Sequence, residues 1–513
     1  MWKAAVAIIP IAWIFFSMLR LKMPAYKAGI TAFLICIGVV VLPIWRMPPA
    51  YMLQAISEGV FLGLWPIVWV IFAAIFTYNL LVASGAMDTI KKMLSGISPD
   101  RRIQALVIAF AFGGFLESTA GFGTAVAIPA SILAALGFEP LFAAVICLVA
   151  NTVPVAFGVV GIPVITLGKV TGLALGELTA NTALQLLPLA LILPVFLVVI
   201  VTGKVSGIKG VLGASIAAGV TFGAIQTVVA CTIGPELSAI TGSLASLAVI
   251  LAWNRFFPIK KIWRFEKDST VESTIHSGIS FMEGLKAWSP YILILTLVLC
   301  TGLAPFLSFL GKPPFTISYL FYKGLHGKPL SFSFITNPGT LIILSAIIGG
   351  LLQGVKFQIM LNTAFSTIKQ ISGTIITVLS IVSIAKLMGY SGMISSIASC
   401  LSTLTGSLFP LVSPFLGALG TFITGSDTSS NVLFGELQKQ TALQIGSDPS
   451  WIAAANASGA TAGKMVSPQS IAIATSATGL TGSEGKILGR TIVYALVFVA
   501  LLGILVYIVD IIK

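Results

Sequence analysis

Four stretches of the chain, Ala183–Val201, Val211–Val229, Tyr291–Leu310 and Thr491–Val509, each run for 19 or 20 residues without a charged side chain. At about 1.5 Å per residue, a helix of that length crosses the roughly 30 Å hydrocarbon core of a bilayer. Water offers no alternative fold. Only 9% of the 513 residues are charged while 57% are hydrophobic, against roughly 25% charged in an ordinary soluble domain. The chain reads as an all-α polytopic membrane protein, multi-pass in the cell membrane.

The net charge of +13 does not point to nucleic acid, because position decides its meaning. Lys and Arg gather in short connections: Arg20, Lys22 and Lys27; Lys91, Lys92, Arg101 and Arg102; Arg255, Lys260, Lys261, Arg264 and Lys267. Connections of this kind stay on the cytoplasmic side. The first apolar run carries its stronger charge after its core and has no small-residue cleavage site, so it reads as a retained span starting outside. Cys36, Cys147, Cys231, Cys300 and Cys400 are scattered through apolar segments without ligand spacing. Neither a disulfide framework nor a metal site is expected, and no cofactor is implied.

Placing the basic connections inside produces a zigzag of about 12 crossings and two re-entrant hairpins. The first repeat covers 1–253, with a hairpin at 104–136 and a broken helix at 141–175. A basic cytoplasmic connection follows at 254–287. The second repeat covers 288–513, with a hairpin at 407–445 and a broken helix at 450–478. Phe115 precedes one polar tip and Phe422 the other; Glu139-Pro140 closes the first hairpin and Asp448-Pro449 the second. On this orientation the hairpins enter from opposite sides, so the repeats have inverted topology. Paired inverted repeats with interrupted helices belong to secondary transporters.

The tips carry the chemistry. The first reads GGFLESTAGFGT and holds Glu117 in apolar surroundings, where a charged group costs roughly 3 kcal/mol or more. Ser118 and Thr119 flank it. The second reads TGSDTSSN and offers Ser426, Asp427, Thr428, Ser429 and Asn431. Half-helices starting at such tips aim free N–H groups and a positive dipole end at the membrane centre, where they hold small anions. Glu117 and Asp427 are the two carboxyls at hairpin centres and the candidates for proton coupling; Asp427 also reads as a helix cap. Lys464, in the break of the second broken helix, pairs with a substrate carboxylate, with Glu117 or with Asp427. Lys386, near a span end, reads as an interfacial lysine or a second substrate contact. His276 and His326 lie in connections and suit no proton relay.

FLESTAGFGTAVAIPASILAALGFEPLFAAVICLVANTVPVAFGVVGIP resembles the L-lactate permease family of monocarboxylate transporters. So do residues 234–247, 424–438 and 462–485, in order along most of the chain. The resemblance implies import of lactate and related 2-hydroxy acids such as glycolate, with protons as the coupling ion and an elevator-type motion. It also implies that Asn is common where this chain has Asp427, which moves the coupling expectation to Glu117. The lactate carboxylate would be held by helix N-termini with Ser118, Thr119, Ser426, Thr428, Ser429, Asn431 and Lys464. Its hydroxyl would meet Asn151 and Thr152, and its methyl Val153, Val155 and Phe157. Sodium coupling stays open, as does transport of gluconate or a dicarboxylate, although a second anionic group would want a second strong intramembrane cation. A channel would want a continuous polar path, and an enzyme a metal or catalytic cluster; the sequence has neither pattern. The oligomeric state is open, a homodimer being one assembly it permits.

Overall fold

The computed structural model describes the chain except residues 96, 122, 260, 266–278, 304–308, 325, 326, 328, 481, 482 and 513. Much of the basic connection, including Lys260 and Lys267, lies outside the described residues, as do His276 and His326. Among the described residues nine helices are long and apolar enough to cross a membrane, and five shorter apolar helices accompany them. The five cysteines are free thiols.

One series of elements occurs twice. A shorter apolar helix, Ala25–Val41, leads to a 35-residue helical stretch, Pro49–Ala83. The amphipathic Ala86–Ser95 follows, then a helical hairpin, a broken helix and the 28-residue Leu175–Thr202. In the second half Pro338–Leu352 leads to the 35-residue Phe357–Ser391, then Met393–Thr405, a hairpin, a broken helix and the 29-residue Glu484–Ile512. Packing is reciprocal: Ala25–Val41 lies on Phe357–Ser391, and Pro338–Leu352 lies on Trp69–Ala83. Leu212–Thr232, Pro235–Phe256 and Phe281–Leu303 stand between the two series. A small antiparallel ribbon, Thr316–Tyr319 with Leu330–Ser333, was not foreseen in the apolar pattern, because it sits in a connection rather than a span.

Both hairpins turn on glycine. The first runs as continuous helix from Arg101 to Thr119 and returns as Thr124–Ala135, with Gly121 and Gly123 at φ of 57° and 87°. The second runs down as Phe409–Thr424 and returns as Asp427–Ile445, with Gly425 at φ 71°. A left-handed residue of this kind ends a helix at little steric cost only when it lacks Cβ. The broken helices fail where proline and glycine interrupt them. Pro140–Ala150 passes through a 3-10 turn, Val153–Phe157, before Gly158–Thr171. Val159 and Val160 are left-handed there, a strained setting for β-branched residues. Pro449–Val466 stops at Ser467, which Pro468 holds extended, and Pro468–Ala477 resumes the chain.

Small residues let the second hairpin and second broken helix approach backbone to backbone. A Cβ at Gly459 would overlap the carbonyl oxygen of Pro414, one at Gly463 that of Ala418, and one at Gly417 that of Asn456. In lipid such contacts replace the hydrophobic drive as the source of helix association. Gly463→Val is therefore expected to cost at least 2–3 kcal/mol through overpacking. Detergent-solubilised protein should melt several degrees lower or fail to run as a single species in gel filtration; an unchanged profile would contradict the tight crossing.

Candidate functional site

The two hairpin tips and the two helix breaks converge on one region. Each tip also meets the short helix Pro468–Ala477: a Cβ at Gly123 would strike Ile473, and one at Gly425 would strike Gln469. Between the tips and the long helix Phe357–Ser391 lies a cavity of about 850 Å³. Tyr26, Ile71, Gln370, Gly373 and Thr377 also line it, as do Lys22, Met23, Pro24 and Glu484.

Glu117 lines this cavity and is only 2% exposed. Its Oε1 accepts from Lys464 Nζ, forming a salt bridge across the two halves of the chain. Its Oε2 accepts from Asn151 Nδ2 at 2.9 Å. The carboxylate fits because Gly158 faces it without a side chain; a Cβ there would stand 2.9 Å from Oε1. Burying a carboxylate and an ammonium is tolerable only as such a pair, since each ion alone costs several kcal/mol.

The second tip is built differently. Ser426, not Asp427, caps Asp427–Ile445: its Oγ accepts from Ser429 N at 3.3 Å. The expected cap thus falls one residue earlier, because residue 426 has the extended backbone a cap requires and residue 427 is already helical. Asp427 Oδ1 accepts from Asn431 Nδ2 at 3.0 Å, while Oδ2 is buried without a partner among the described residues. The N–H groups of Asp427 and Thr428, in the first turn, have no carbonyl within their own helix. Asn431 also donates to Pro163 O and accepts from Asn456, which in turn accepts from Gln438. This ladder of buried amides ties the second tip to both broken helices.

The residues expected at the site separate into two layers. Glu117, Ser426, Asp427, Thr428, Ser429, Lys464 and Val155 border the cavity. Ser118 and Thr119 do not: their hydroxyls donate to Gly114 O and Phe115 O of their own helix at 2.6 and 2.8 Å. Thr152 bonds back to Val149 O at 2.8 Å, and Asn151 and Asn431 sit behind the two carboxyls. Val153 and Phe157 are fully buried away from the cavity. Lys386 takes neither expected role. It pairs with the buried Glu58 at 2.9 Å, and Tyr390 donates to the same carboxylate at 2.9 Å. Gln469, Gln370 and Tyr26 were missed, since nothing in their local sequence marks them as cavity residues. No group of three or more His, Cys, Asp or Glu side chains suited to a metal occurs among the described residues.

The sequence profile of the L-lactate permease family matches residues 3–512. An L-lactate permease from Streptococcus iniae is 42% identical over 88% of this chain and 94% of its own length. The glycolate permease GlcA of Escherichia coli K12 is 35% identical over 98% of this chain and 95% of its own. Among solved structures, Neisseria gonorrhoeae MtrF aligns with a TM-score of 0.48 and 13% identity, over 89% of this chain and 84% of that one.

Proposed function

The chain belongs to the L-lactate permease family, a family of multi-pass membrane transporters and not of enzymes, and from that premise we propose that it imports L-lactate and related 2-hydroxy monocarboxylates by proton symport. The observation that carries the reading is the ion pair of Glu117 and Lys464 beside a cavity that also meets a helix N-terminus. A monocarboxylate brings one negative charge, and the cavity offers at the hairpin tips a cation, Lys464, whose counter-ion is a carboxylate.

The proposed cycle follows from charge balance. In the empty site Glu117 neutralises Lys464. A proton reaching Glu117 ends that attraction and leaves the ammonium without a partner. The lactate carboxylate then takes the place of Glu117 on Lys464, with the N–H groups of Asp427 and Thr428 and the hydroxyls of Thr428 and Ser429 as further donors. Proton and anion thus enter together or not at all. Val155 and Ile162 supply an apolar surface for the methyl group. Ser118, Thr119, Asn151, Thr152 and Asn431 serve as support behind the contacts.

We read the two element series as inverted repeats, and the hairpins with their broken helices as the unit that moves against the long helices in an elevator motion. Lys22, which lines the cavity, belongs to a connection whose Arg20, Lys22 and Lys27 assign it to the cytoplasm. The conformation is accordingly inward-facing in this reading.

The test is uptake of labelled L-lactate into proteoliposomes. Under an imposed pH gradient without sodium, accumulation is expected, and excess glycolate should suppress it while gluconate and succinate should not. Accumulation driven only by a sodium gradient would overturn proton coupling. Suppression by gluconate or succinate equal to that by glycolate would overturn the substrate class.

A further inference from the structure

We infer that Asn151 governs when Glu117 takes and gives up its proton, a positioning role that rests on the coupling reading above. Asn151 and Glu117 are 3% and 2% exposed, and they come from different elements. The bond between Asn151 Nδ2 and Glu117 Oε2 uses the oxygen that Lys464 leaves alone. Each carboxylate oxygen therefore has its own donor. Asn151 Oδ1, equally buried, has no partner among the described residues. Buried amide oxygens are seldom left so, and an idle acceptor beside a titratable carboxyl has a use.

An amide can serve both forms of its neighbour. Its N–H donates to a carboxylate, and its carbonyl accepts from the O–H of a carboxylic acid. In the charged state of Glu117 the donor is engaged and the acceptor idle, as observed. When a proton from the cavity bonds to Oε2, a half-turn about the Cβ–Cγ bond of Asn151 brings Oδ1 onto that O–H. The acceptor is then engaged and the donor idle. The only transfer is one proton onto Glu117, and the only attraction lost is that to Lys464. Because Asn151 has one group engaged and one idle in either state, it traps neither protonation state. A side chain that donates only, or that does neither, would favour one state and displace the pH at which the proton is exchanged.

The charged groups around Glu117 define what else affects it. Lys464 touches it, and Asp427 lies within electrostatic reach of both. Of the helices packed on Gly113–Thr119, Pro235–Phe256 carries Glu236 and Arg255 at its two ends, and Gly158–Thr171 carries Lys169 near its last turn. Asn151 is the neutral side chain bonded to the carboxylate itself.

The experiment is the pH midpoint of gradient-driven lactate uptake in proteoliposomes for wild type, Asn151→Leu, Asn151→Asp and Glu117→Gln. Asn151→Leu removes the donor to the charged form and the acceptor from the protonated form, and the bond to the charged group is the stronger of the two, so proton affinity rises and uptake persists to higher pH. The expected displacement is about one pH unit, the difference between a hydrogen bond to a charged group and one to a neutral group. Asn151→Asp keeps the size and places a second carboxylate on Glu117, so its midpoint should move up further than that of the Leu variant. A midpoint within about 0.3 units of wild type in either variant overturns the inference. Asn151→Asp decides the matter should Asn151→Leu fail to assemble. Glu117→Gln separates the two levels of argument. If it keeps the wild-type midpoint, the coupling reading fails and Asn151 with it. If its gradient-driven uptake is lost while both Asn151 variants titrate like wild type, only the role of Asn151 is overturned.

Discussion

Glu117→Gln is expected to abolish net lactate accumulation under a pH gradient while leaving lactate counterflow largely intact. Gln has the size and hydrogen-bonding reach of the carboxyl, so Asn151 and Gly158 still have a neighbour that fits. The charge is what changes. On the proposed cycle, with Glu117 present the empty site holds a neutral pair and returns across the bilayer. With Gln there, Lys464 stays cationic and unpartnered whenever lactate leaves, and moving one buried uncompensated ion costs several kcal/mol. At roughly 1.4 kcal/mol per factor of ten, a barrier about 4 kcal/mol higher slows the empty return by about three orders of magnitude. The loaded site remains neutral, so exchange of labelled for unlabelled lactate continues. Accumulation by the variant at more than a tenth of the wild-type rate would return Glu117 to a structural role and direct attention to Asp427.

Lys464→Gln should be the more damaging change, because it removes both modes. The substrate carboxylate of the proposed cycle loses the lysine at the hairpin tips, and truncating one member of a buried charge pair typically costs about 3–5 kcal/mol. In affinity that is a loss of about two to four orders of magnitude, so uptake and counterflow both disappear at millimolar lactate. The variant also leaves Glu117 buried without its cation, which lowers the thermal stability of the purified protein. The double variant Glu117→Gln, Lys464→Gln separates these effects. Replacing both ions leaves no unpaired charge, so stability should recover toward wild type while transport stays absent. Stability that falls further in the double variant would contradict the pairing, and counterflow in Lys464→Gln would remove lysine from the substrate site.

Much of this site could be read along the chain. An acidic residue between glycines in an apolar segment is costly enough to need a reason, and Glu117 met that description before any geometry was known. Lys464 stands out for the same cause, a charge far from the charged connections, although the structure places it in the last turn of Pro449–Val466 and not in the break, which falls at Ser467. The tips were visible because glycine, serine and threonine interrupt long apolar runs, and the breaks because proline removes a helix hydrogen bond. Hydroxyls were harder. Ser118 and Thr119 look like donors for a ligand, yet a serine or threonine within a helix finds its own i−4 carbonyl first, and both do. Ser426 displaced Asp427 as the cap because backbone conformation, and not side-chain type alone, selects that position.

Local composition thus determined the membrane setting, the position of the helix breaks and the identity of the costly charges, since each is a property of a short segment in a low-dielectric solvent. Only the tertiary structure decided partnership. Glu117 and Lys464 are separated by 347 residues, and no local pattern states whether a lysine so placed answers a carboxylate, a substrate or the interface. The same holds for Lys386 on Glu58, for Asn151 behind Glu117, and for Tyr26 and Gln370, which line the cavity. A buried charge announces its cost in the sequence; the group that offsets it is chosen by the fold that brings the two together.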